Sequence, residues 1–120
     1  MTIRRLKTYT AQTGYVYQYY FVGKRPALDN DPRAPATEYI FDVTSDRKTM
    51  FAVSVFLSPE ALATWVTARG RALSDSEQYA AVKLRLMLAF DEIPDMLNQG
   101  RQLSLDPPGL VKLLESIGVE

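Results

Sequence analysis

Tyr20 and Gln18 in the stretch GYVYQYYFVG, with Glu38 and Asp42 in EYIFDVT, come nearest in type and spacing to a chemical site. Members of each pair are separated by an even number of residues, so in extended strands each pair lies on one face. A carboxylate beside a phenol in a partly apolar setting makes a general base next to an oxyanion donor, because burial raises the carboxylate pKa towards useful values. The grouping rests on alternation alone. Cross-strand solvation and one tyrosine hydrogen bond account for the same four residues.

Other candidates fail on spacing. Asp29-Asn30-Asp31 offers three oxygen ligands, but a calcium loop needs them at alternate positions with a turn glycine and a later glutamate, and here Pro32 follows directly. Ser45-Asp46-Arg47-Lys48 matches an S-x-x-K string, yet that chemistry needs the serine at a helix start and these residues read as a hairpin loop. Asp91, Glu92 and Asp95 surround Pro94 and read as a solvated helix end. Neither cysteine nor histidine occurs in the 120 residues, which removes disulfides, thiol nucleophiles, imidazole bases and the common zinc sites. Without a phosphate-binding glycine loop or a dinucleotide fingerprint either, no catalytic residue, metal or cofactor is expected.

Charge narrows the partners. Fourteen basic and fourteen acidic residues give a formal net charge of zero, against the basic excess of dedicated nucleic-acid binders. Arg4, Arg5, Lys7, Arg47 and Lys48 are nevertheless candidates for an anion-binding pole of the sheet, with aromatics nearby for base stacking. Basic residues near the N-terminus have no apolar run behind them, and no later segment is long enough to span a bilayer, so the expectation is a cytoplasmic protein without a membrane partner.

The elements that must position these residues follow from periodicity. Residues 15–23, 38–44 and 50–57 alternate with period two and are rich in aromatic and β-branched types; residues 3–11 suggest a further edge strand. Between the first two strong strands, KRPALDNDPRAPA carries three prolines and reads as a long surface loop. Ser58-Pro59-Glu60 opens a helix that Gly70 stops. Ser74-Asp75-Ser76-Glu77 is a capping box opening the longest helix, which Pro94 must kink or break. A last helix starts at Asp106-Pro107, with Leu110, Leu113, Leu114 and Ile117 on one face. The predicted fold is α+β in a single domain over residues 1–120: an antiparallel sheet of three to four strands in the N-terminal half, then three helices packed on one sheet face.

Parity sorts the strands into two faces. Tyr15, Tyr17, Tyr19, Phe21, Tyr39, Phe41, Val43, Phe51, Val53, Val55 and Leu57 make the core face, provided that the second hairpin loop is odd-numbered; a three-residue loop at 46–48 pairs Phe41 with Val53 and Val43 with Phe51. The opposite face mixes Val16, Val22, Ile40 and Phe56 with Gln18, Tyr20, Asp42 and Ser54, an amphipathic surface suited to contact. Gln18, Tyr20, Ile40, Asp42 and Ser54 are the candidate ligand or partner surface. The segment LRLMLAF is apolar on more than one stripe, which leaves Leu84, Met87 and Leu88 as candidates for a dimer interface. The leading expectation is therefore a non-catalytic interaction domain that self-associates as a homodimer. A nucleic-acid or anion-binding module using the basic pole is the first alternative, and a small-molecule binder or enzyme built on Tyr20 and Asp42 the second.

Overall fold

The structure, a computed structural model, describes residues 5–120. Five strands form one sheet in the order β1 (Lys7–Thr10), β2 (Val16–Pro26), β3 (Thr37–Thr44), β4 (Phe51–Leu57) and β5 (Gln102–Leu105). The first four are joined antiparallel, and β5 is added parallel to β4. Between β4 and β5 the chain makes α1 (Pro59–Arg69), α2 (Asp75–Glu92) and the single turn α3 (Met96–Gln99), and it ends with α4 (Pro107–Ser116). The architecture is α+β as expected, enlarged by a fifth strand and a fourth, short helix. Among the described residues no helix is long and apolar enough to cross a membrane.

Local chemistry accounts for the helix boundaries. Ser58 and Ser74 accept hydrogen bonds from the backbone N–H of Ala61 and Glu77, and Glu77 returns a bond to the Ser74 amide, completing the capping box. Gly70 ends α1 at φ 73°, a left-handed conformation that a side chain would oppose. Pro94 breaks the long helix outright: α2 stops at Glu92, and Asp95 caps the new turn of α3.

The β3–β4 register is the expected one, with Phe41 opposite Val53 and Val43 opposite Phe51. The connecting turn is held by Asp46, whose carboxylate accepts from the amides of Lys48 and Thr49, and by the Thr44 hydroxyl, which accepts from Arg47 N. The amides of Thr49 and Lys48 draw the Asp46 carboxyl down to about 2. Arg47 takes φ 65°, the left-handed region, inside this turn.

The core lies on the Phe41 face. Nine of the eleven expected core-face residues are buried; Tyr15 at the start of β2 and Phe21 at its bulge are exposed. Helices α1, α2 and α4 contribute Trp65, Val82, Leu86, Phe90, Leu110 and Leu114 to the same cluster, and β5 adds Leu103 and Leu105. Phe90 stacks on Tyr17 with ring centroids 4.2 Å apart and planes 6° apart, and Tyr79 meets Phe21 edge-on at 5.0 Å. Ile117, expected on the apolar face of the last helix, is exposed because α4 ends at Ser116; Val66 and Leu97 are exposed as well, Leu97 beyond the break at Pro94.

The long loop is shorter than its prolines imply. β2 continues through Lys24-Arg25-Pro26, because Ala27 N donates to Ala36 O and Pro26–Thr37 is then a non-bonded pair. The missing proline N–H points away from β3, on a side that β1 does not reach.

Candidate functional site

The opposite sheet face carries the candidate surface, and a bulge decides its composition. Phe21 pairs with Phe41 but Gly23 pairs with Ile40, so Val22 is the extra residue and alternation shifts by one beyond it. Arg25 is thereby turned onto the face of Glu38, its register partner. Sequence parity without the bulge missed this residue; an isolated glycine within a strand pattern is the signal for it.

Two separate polar groups result rather than one cluster. In the first, the Tyr20 hydroxyl donates to Asp42 Oδ2 at 2.7 Å. In the second, Glu38 accepts from Arg25 Nε at 2.9 Å and from Ser54 Oγ at 2.6 Å. Ile40 stands between them, and four residues along β3 separate the two carboxylates by about 13 Å at about 3.3 Å per residue. Glu38 is buried. Burial alone pushes its carboxyl up, but the bonds from Ser54 and Arg25 outweigh that and leave it below the usual range. Such a carboxylate is a structural anion, the reverse of a poised general base.

The rest of the face is bounded by β5 and the loop before β3. Arg33 makes a two-point ion pair with Asp31 at 2.9 and 3.0 Å, donates to Gln102 Oε1 at 3.0 Å, and lies 3.9 Å above the Phe56 ring. Phe56, expected to be uncovered, is therefore buried beneath Arg33, Ala27 and Ala36. Asp31 serves this ion pair and the Arg33 amide, which accounts for one acid of the Asp29–Asp31 run. Beside Ser54 a polar cleft of about 490 Å³ is lined by Ala52, Asn98, Gln99, Arg101 and Gln102. Among the described residues no group of three or more acids is placed to hold a metal ion.

The basic pole is not assembled. Arg4 lies outside the described residues. Lys7 pairs with Tyr19, in the row of Val43 and Phe51, whereas Arg47 and Lys48 occupy the turn four residues past Val43. That sets them beyond the strand ends and more than two strand spacings of about 4.8 Å across the sheet from Lys7. Arg5 is further still, two residues before Lys7. The antiparallel register gives the 45–50 turn a different neighbour, the turn between β1 and β2. Of the dimer candidates, Leu84 and Met87 line an apolar groove on the outer side of α2, and Leu88 is 37% exposed.

No known family model, curated protein or solved structure matches the chain.

Proposed function

We propose that the chain is a non-catalytic interaction domain whose contact surface is the sheet face of Gln18, Tyr20, Ile40, Asp42 and Ser54, and whose partner there is a second copy of itself. The observation that carries this reading is the one-sided cover of the sheet: the helices join the Phe41-face cluster, while Val16 and Val22 stay 41% and 39% exposed and Ile40 half-exposed on the other side. Polar groups on this face already bond one another, Tyr20 to Asp42 and Glu38 to Arg25 and Ser54. Docking then removes water from apolar side chains and from carboxylates that keep these bonds, a smaller desolvation cost than burying unbonded ions.

A two-fold interface matches a patch with its own copy. The Tyr20 face suits that, because its carboxylates are bonded within each chain. The alternative face around Leu84, Met87 and Leu88 suits it less, because its groove holds the unpaired Lys83 with Lys7 nearby, and two copies would bring these cations together. Light scattering behind size exclusion tests the proposal: we expect the mass of two chains, reduced to one by Ile40→Asp and unchanged by Leu88→Asp. A monomer mass persisting into the high micromolar range would defeat the dimer. Dissociation by Leu88→Asp alone would move the interface to α2.

A further inference from the structure

The outer side of α2 holds a groove of about 500 Å³, walled mainly by Tyr9, Tyr79, Leu84, Met87 and Ile117, with Lys83 among them. Its size falls within the range of about 300–1,000 Å³ typical of small-molecule sites, which combine apolar walls with a few polar groups. Lys83 is the anomaly. Of the four half-buried cations among the described residues, Arg33 and Arg69 pair with Asp31 and Glu115, and Arg85 donates to the Ser104 carbonyl. Lys83 has no such partner among the described residues. Asp91, two turns along the same helix face, is taken by the Tyr9 hydroxyl at 2.8 Å and the Gln12 amide at 2.9 Å.

Lys7 adds a second cation from β1, on the same side of the sheet as Tyr19. Burial, and then the charge of Lys7, disfavour the Lys83 ammonium and hold its pKa below the ordinary lysine value. An anion seated there relieves both effects. The rest of the groove offers hydrocarbon and aromatic surface rather than the array of donors that a phosphate dianion requires.

From this pairing of a partnerless half-buried ammonium with apolar walls, we infer that the groove binds an amphiphilic monoanion, an aliphatic chain ending in a carboxylate. The head group meets Lys83, with Lys7 at the rim, and the chain lies on Leu84, Met87 and Ile117. This site is on the helix side of the sheet, independent of the Tyr20 face and of any dimer formed there.

Dodecanoate, dodecanol and dodecyltrimethylammonium, each below its micelle concentration, test the inference by calorimetry and by the NMR signals of the Met87 methyl group. We expect saturable binding of dodecanoate, with dodecanol weaker and the cationic amphiphile weakest. Lys83→Met keeps the length and helix preference of the side chain, and should weaken dodecanoate about tenfold while leaving dodecanol unchanged. Lys83→Glu should reverse the preference towards the cationic chain; if that variant does not fold, Lys83→Met carries the test. Absence of dodecanoate binding, equal affinity for dodecanol, or an unchanged affinity in Lys83→Met would overturn the inference, as would signal changes remote from Met87.

Discussion

The two faces of the sheet come from alternate residues of the same strands, yet only one is covered by helices. On the Phe41 face the inward side chains of β3 and β4 from Tyr39 and Phe51 onward are all aliphatic or aromatic, and four helices build the core on it. On the Tyr20 face, residues just as accessible to a helix include Glu38, Asp42 and Ser54. Apolar content alone does not separate the faces, since Val16, Val22, Ile40 and Phe56 belong to the second. The separation comes from charge: an apolar helix stripe laid over this face would give the two carboxylates no polar partner in place of water, whereas a second copy of the same amphipathic face would bring polar groups of its own. The loop that covers Phe56 on that side brings its own cation, Arg33, already paired with Asp31.

The sharpest test of this contrast is to delete one large side chain from each face. Phe41→Ala should cost about 3–5 kcal/mol in denaturant unfolding, because a fully buried ring leaves a cavity that the aromatic cluster cannot close. Ile40→Ala, one residue away and half-exposed, should cost about 1 kcal/mol. Equal losses would mean that the Tyr20 face is as buried as the core, for instance within a tight dimer.

Glu38→Ala comes next, at about 1–3 kcal/mol, since it leaves the Ser54 hydroxyl and Arg25 guanidinium without their acceptor. The Ser54 bond should dominate, because Arg25 is half in solvent. The carboxyl is held below its unfolded value of 4.5, so its stabilisation is fully present above that pH and is lost as pH falls through the folded value. The difference between the wild type and Glu38→Gln should accordingly shrink in unfolding curves measured below about pH 4.5. A gap that widened on acidification would reverse the sign and remove the account of Glu38.

Tyr20→Phe should be smaller, about 0.5–1.5 kcal/mol, for one bond to Asp42 on a partly exposed surface. Smallest, and opposite in sign, is Arg47→Gly. The left-handed φ of 65° strains any side chain, so glycine should stabilise the hairpin by up to about 1 kcal/mol in thermal unfolding. A loss there would show that the Arg47 side chain contributes more than its backbone costs.

The division into faces was legible from sequence because period two and an odd loop leave one register that keeps Phe41, Val43, Val53 and Val55 together. Capping residues similarly marked α1, α2 and α4. β5 was not legible: QLSL offers two leucines, too short an alternation to stand out, and its pairing with β4 depends on how α1, α2 and α3 fold back. Arg25 was hidden by the bulge at Val22, and the supposed gathering of Lys7 with Arg47 failed because register sets positions along strands that parity leaves open. Lys83 looks ordinary in sequence. Its lack of a partner is a property of three-dimensional neighbours, visible only once Asp91 is found bonded to Tyr9 and Gln12.

The most direct test of the proposed contact surface is a dilution series followed by amide NMR. The account predicts concentration-dependent shifts confined to the exposed face, at Val16, Gln18, Tyr20, Ile40, Asp42 and Ser54, with the signals of Leu84, Met87 and Leu88 unmoved. Shifts mapping to α2 instead, or none at any concentration, would contradict it.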